Sequence, residues 1–189
     1  MIRVVLLVVL GSLVLGACSS TRPAPTAPPA ADRFGAPVPA RSLDASQRAS
    51  RPCAALTETQ LRGLGLEPTG RLDALPTGGP ACIWEDAAFT QQVSAVLYPT
   101  RDYLVDTYRA RGTYQYFVPT TIAGLPAVAQ QTTPGARTCT MTTGIAIGQA
   151  VDVTVNEVGV PAGARSTSCA KARNVTEAVV SNLPPAPQK

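Results

Sequence analysis

Five cysteines, Cys18, Cys53, Cys82, Cys139 and Cys169, carry the most reactive side chains of this sequence. Cys18 closes the tetrapeptide Leu15-Gly16-Ala17-Cys18, which ends an apolar run from Val4 to Leu15. One charge, Arg3, precedes that run. About a dozen apolar residues are too few for a bilayer core that needs roughly 20, and the layout is that of an export signal. Small residues at Gly16 and Ala17 let an extended backbone enter a peptidase at the membrane face. The Cys18 thiol is then placed to act as the nucleophile that accepts a diacylglyceryl group. Two acyl chains, at about 0.8 kcal/mol per buried CH₂, anchor a protein stably where one would not.

The other four cysteines are an even set in a chain marked for export, which reads as two disulfides. Four cysteines allow three pairings, and the sequence alone selects none. Pairing Cys53 with Cys82 and Cys139 with Cys169 would close loops of similar size, about 30 residues, each stabilising by roughly 3–4 kcal/mol. A four-thiolate zinc site is disfavoured, because no two cysteines lie within five residues of each other and zinc ligands usually come in close pairs. The chain has no histidine. That removes the commonest general base and metal ligand, and with them any Ser-His-Asp or Cys-His site. No G-x-S-x-G elbow, S-x-x-K, Walker loop or dinucleotide fingerprint occurs. No catalytic residue, metal or cofactor is therefore assigned.

Two other groups could do chemistry. Glu85 and Asp86 are adjacent at a strand end, where neighbours point to opposite faces. Asp102 and Asp106 share one helix face with Arg101, Arg109 and Arg111 nearby. Both pairs read as solvated surface, and a carboxylate-dependent hydrolase would need two of the four to converge. Tyr103, Tyr108, Tyr114, Tyr116 and Phe117 gather most of the aromatic residues into fifteen positions. They either pack a helix on a strand or line a groove for an apolar ligand or a partner.

These groups must be positioned by a small fold. Aromatics are 5% of the 189 residues, so alanine, valine and threonine supply the core, which suits strands. Residues 18–51 hold prolines, alanines and arginines with almost no large apolar side chain, and are expected to form a disordered tether. The basic excess lies there. From Cys53 to Leu183 nine basic residues face ten acidic ones, which argues against nucleic acid as a partner. Thr57 and Gln60 form a capping box, with Leu56 and Leu61 as a hydrophobic staple, and Gly63 and Gly65 stop that helix. Strands are expected over 81–85, 89–98 and 114–118, with a further strand following the turn near Gly124. Between the second and third of these strands, Thr100 caps a second helix. A hairpin joins 137–147 to 150–158 through a type II′ turn at Gly148-Gln149. Val151, Val153 and Val155 face one side of it, and Asp152, Thr154 and Asn156 the other. Ala172, Val175, Val179 and Leu183 form the apolar stripe of a last helix. The reading is α+β: one domain over 52–184, an antiparallel sheet with short helices on one face, and a frayed tail at 185–189.

Leu15-Gly16-Ala17-Cys18 resembles the lipobox of bacterial lipoproteins. Further markers are Cys53 before a short capped helix with Leu64-Gly65-Leu66, Cys82-Ile83-Trp84 opening a strand, and Gly124-Leu125-Pro126-Ala127. Cys139 in a strand, Cys169-Ala170-Lys171-Ala172 and Leu183-Pro184 complete the series. In this order they resemble the actinobacterial lipoproteins of the domain of unknown function 3558 family, over roughly Pro52 to Pro184. Arginine outnumbers lysine fourteen to two, as in high-GC genomes. Ile83 departs from the small residue usual before the family's tryptophan. The resemblance favours the 53–82 and 139–169 disulfides. It implies an extracytoplasmic protein on the outer face of the cytoplasmic membrane and names no reaction. The expected function is a non-enzymatic ligand-binding or protein-interaction module. Its partners would be the membrane, through the lipid, and an envelope lipid, glycan or membrane protein. The alternatives are the carboxylate hydrolase and a purely structural envelope protein.

Overall fold

The computed structural model describes residues 32–74, 78–159 and 167–187. The signal 1–17, Cys18 and the tether up to residue 31 lie outside the described residues. Seven strands form one antiparallel sheet. They are β1 (Arg71–Ala74), β2 (Pro80–Glu85), β3 (Gln91–Tyr98), β4 (Tyr116–Ile122), β5 (Leu125–Gln131), β6 (Thr138–Ala146) and β7 (Gln149–Glu157). The helices are α1 (Ser46–Ala49), α2 (Glu58–Gly63), α3 (Tyr103–Arg109) and α4 (Ser168–Ser181), with a 3-10 turn at Pro52–Ala55. The spatial order is β1-β2-β3-β7-β6-β5-β4. Two meanders, β1-β2-β3 and β4-β5-β6-β7, therefore meet where the last strand pairs with β3. Pro119 lies on β4, an edge strand, where its missing N–H costs no ladder bond.

Odd positions of β7 and β6 face the main core. Val151, Val153, Val155, Cys139 and Met141 pack there with Trp84, Val93 and Leu97 under the stripe Ala172, Val175 and Val179 of α4. The capping box of α2 is formed, with Thr57 N–H donating to Gln60 Oε1 at 2.9 Å and Gln60 N–H to Thr57 Oγ1 at 3.3 Å. Disulfides join Cys53 to Cys82 and Cys139 to Cys169. Each pins a helical segment onto this face. Glu157, buried at the end of β7, holds the start of α4. It accepts from Thr167 N–H at 3.0 Å and Thr167 Oγ1 at 2.5 Å, and pairs with Lys171 at 3.0 Å.

Three expectations change. The folded unit begins at Asp32, not at residue 52. Leu43, Ala45 and Ala49 are buried, Leu43 N–H donates to Ile145 O at 2.8 Å, and Ala186 N–H to Ser42 O at 2.9 Å. The stretch thus docks, and Pro185, expected in a frayed tail, bridges to Leu43. Proline and alanine exclude regular ladders there but not extended pairing or small buried methyls. Secondly, the helices do not all share one face: α3, which carries the chain from β3 to the far edge strand, crosses the opposite face. Leu104 seats there on Gly144, where a Cβ would come within 2.9 Å of Leu104 Cδ2. Thirdly, the β6–β7 turn is Ile147-Gly148, with Ala146 opposite Gln149 and a bulge before it. Gly148 has φ +79° and Ile147 is not left-handed, so the positive φ falls at the second turn position and type II′ is excluded.

Two residues test these local arguments. Ala123 and Gly124 link β4 to β5 with φ of +48° and +77°, the pattern of a type I′ turn, which favours Asn-Gly. Ala123→Asn is expected to stabilise the domain by about 0.5–1 kcal/mol, because asparagine tolerates the left-handed region better than alanine. Gly70 lies against the Cys53–Cys82 disulfide, and a Cβ there would overlap Cys82 Sγ and Trp84 Nε1. Gly70→Ala is expected to cost about 1–3 kcal/mol. Urea unfolding of both variants checks the pair of opposite signs.

Candidate functional site

On the sheet face that α3 crosses, beside the apolar cluster that α3 covers, lies a polar patch. Register brings three rungs together on β6 and β7: Thr138 opposite Asn156, Thr140 opposite Thr154, and Thr142 opposite Asp152. Each rung is hydrogen-bonded, at 3.0, 2.9 and 2.5 Å in that order. On β5, Gln130 Nε2 donates to Thr142 Oγ1 at 3.2 Å. The alternation in the sequence placed Asp152 on the strand face opposite the valines. In the structure it is only 6% exposed, because the crossover that contains α3 returns over this side.

Asp102 starts α3, not Thr100. Its carboxylate accepts from Val105 N–H at 3.4 Å and from Arg33 at 2.7 Å. The segment Asp32–Arg51 thus takes part in placing the helix. Tyr103 in the first turn stacks on Tyr98 with ring centroids 4.3 Å apart, under the Arg101 guanidinium at 5.0 Å. Tyr114 follows the end of the helix. Tyr103, Tyr114, Gln130, Asp152, Thr138, Thr140 and Thr154 line a cleft of about 200 Å³. That is below the roughly 300–1,000 Å³ of drug-sized pockets, so any occupant is small.

The five aromatic residues, read as either helix-on-strand packing or one groove, are divided between the two. Tyr103 and Tyr114 line the cleft. Tyr108 and Phe117 pack edge-to-face at 5.1 Å in a separate cluster with Ala36 and Val128. Tyr116 packs against the main core. The four carboxylates are dispersed as well. Asp102 caps α3, and Asp106 pairs with Arg101 at 2.7 Å. Asp86 holds the β2–β3 turn through Thr90 Oγ1 and Gln91 N–H at 2.6 and 2.7 Å. Glu85 accepts from Gln92 at 2.9 Å and shares a shallow hollow with Asp86. None of them reaches the cleft.

Burial pushes the Asp152 carboxyl up to about 7, against the opposing hydrogen bond from Thr142. Burial, and then the charge of Asp152, push Tyr103 up to about 12 and raise Tyr114. The cleft thus holds one carboxyl poised near neutrality beside two neutral phenols. Asp152 is the site residue that sequence reasoning missed. A turn at Gly148-Gln149 would set it opposite Ile145; the observed turn and bulge set it opposite Thr142. Only the pairing register and the route of the crossover distinguish it from an ordinary exposed aspartate.

The fold and this site define a disulfide-stapled antiparallel α+β domain with a polar cleft on one sheet face. The chain matches the family model described as protein of unknown function (DUF3558) over residues 13–182, and it belongs to that family. No curated protein and no solved structure matches it.

Asp152 carries a pH prediction. Between the ordinary value of 3.8 and about 7, the folded chain keeps a proton on Asp152 that the unfolded chain has lost. Rising pH in that window therefore favours unfolding. Asp152→Asn is expected to remove this contribution, so that the variant gains stability over the parent as pH rises through the window and keeps that gain above it. Thermal melts of both proteins across the window read the difference directly. A difference that stays constant with pH refutes the argument.

Proposed function

We propose that this chain is a cell-envelope lipoprotein, anchored through Cys18 to the outer face of the cytoplasmic membrane, whose domain is a non-enzymatic ligand-binding module with the Asp152 cleft as its site. The export reading rests on the apolar run from Val4 to Leu15, on Leu15-Gly16-Ala17-Cys18, which lies inside the family match, and on two disulfides, which persist in oxidising compartments. No helix among the described residues is long and apolar enough to cross a membrane, so the acyl chains are the proposed anchor.

The observation that carries the binding reading is Asp152. The neighbouring rung is a neutral Thr140–Thr154 pair, so the sheet has no structural need of a charge there. A buried carboxyl without a cation opposes folding, and such groups cluster at functional sites. A second reading draws on the same residue: a carboxyl near neutrality suits general acid or base catalysis. It requires a second reactive group, and the one nearest in kind, the Tyr103 phenol, is shifted away from neutrality.

Membrane fractionation with mass spectrometry tests the anchor. The protein is expected in the membrane fraction with a diacylated N-terminal Cys18, and Cys18→Ala is expected to leave it unacylated and released by a salt wash. An unmodified N-terminus on the parent would overturn the lipoprotein reading.

A further inference from the structure

The hydrogen bonds of the cleft have a direction. Thr142 has one hydroxyl proton and gives it to Asp152 Oδ1. Its oxygen can then only accept, so Gln130 must present its amide N–H to it, and this orients Gln130 Oε1 away from Thr142. That oxygen is buried and has no partner among the described residues. The bond from Thr142 is the only one to Asp152 among the described residues, and no Lys or Arg lines the cleft. Arg101, which lies over the Tyr103 ring, is held by Asp106 at 2.7 Å. The cleft is therefore lined by two residues that each hold an acceptor short of donors, one of them a carboxylate short of a cation, with two tyrosines in its wall.

We propose that the cleft takes the ammonium group of a small organic amine, whose N–H donors fill the positions left open by Asp152 and Gln130 beside Tyr103 and Tyr114. This rests on reading the cleft as the ligand site. An anion is opposed by the carboxylate. A neutral polyol would supply donors but leave the buried charge uncompensated. An ammonium supplies both, through charge-assisted hydrogen bonds and attraction to aromatic rings. The cleft is small enough to select the head of a ligand, so the amine is either free or the amino headgroup of a lipid.

Binding pairs with the ionised form of Asp152, so the Asp152 proton leaves as the amine enters. Affinity is expected to rise with pH through neutrality. The other titratable or charged groups facing Asp152 do not change charge in that range. Tyr103 and Tyr114, from α3 and the segment after it, are raised by burial. Tyr98 on β3 stacks on Tyr103, and Arg101 remains a cation. The facing residues of β5 and β6, Gln130 and Thr142, do not titrate.

The test uses the full chain, followed by backbone amide NMR signals of Thr140, Thr142, Asp152 and Thr154. The probes are ethanolammonium and ethylene glycol, which match in size and differ in charge. Vesicles of phosphatidylethanolamine, with phosphatidylglycerol as control, form the lipid arm. Ethanolammonium, free or as the headgroup, is expected to shift these signals saturably, with ethylene glycol weaker by at least about tenfold. Asp152→Asn is expected to weaken the ammonium response by at least about tenfold while keeping its melting transition. Gln130→Leu, should Asp152→Asn not fold, is expected to weaken it in the same direction. A response to the free probe places the amine in solution, and one to the vesicles alone places it in a bilayer; both support the proposal. Equal responses to ethylene glycol and ethanolammonium would overturn the ammonium assignment and leave the cleft a ligand site. No response of these signals to any probe would overturn the cleft reading itself.

Discussion

The pairing of β3 with β7 is the constraint on which the rest of the molecule depends. Eight consecutive residues of β3 pair with β7, and among the described residues no other strand pairing joins the two meanders into one sheet. It places the last strand at the centre, so both of its faces need cover. The chain supplies that cover from its connections. The crossover from β3 to β4 lays α3 on one side, and the segment after β7 lays α4 on the other. The two sides differ because the alternation of β7 differs: Val151, Val153 and Val155 demand an apolar partner, and Asp152, Thr154 and Asn156 do not.

On the apolar side the small side chains leave a thin core, and covalent links reinforce it. Cys53–Cys82 ties the turn before α2 to β2, and Cys139–Cys169 ties α4 to β6. Each closes a loop of about 30 residues, which lowers the entropy of the unfolded chain. The buried Glu157 adds a polar clamp at the start of α4. Its charge is compensated by Lys171 and by the Thr167 donors, as a buried carboxylate requires.

The opposite side holds the contrasting carboxylate. Asp152 is about as deeply buried as Glu157, yet among the described residues it has a single hydroxyl donor and no cation. One carboxylate is satisfied by the fold and the other is left with capacity. That difference, on adjacent stretches of one strand, separates a structural acid from a candidate ligand-binding one. The docked segment Asp32–Arg51 contributes to it at a distance, since Arg33 holds Asp102 and Asp102 caps the helix that covers the cleft.

Local rules in the sequence were enough for the elements that depend on neighbours in the chain. The capping box at Thr57 and Gln60, the alternation in β7 and the stripe of α4 were legible because each is a short-range pattern. So was the even set of four cysteines after Cys18, and the family resemblance selected their pairing. Composition misled at residues 32–51, because a proline-rich stretch can dock through extended pairing that leaves no periodic trace. The tyrosine cluster was visible as a cluster, but its division between two faces and two packing groups was not. Asp152 was placed on the correct strand face, but nothing local showed that this face is covered there. Burial of that residue is decided by a turn one position from its expected place, by a bulge, and by a helix arriving from a distant part of the chain, all of them properties of tertiary register and not of local sequence.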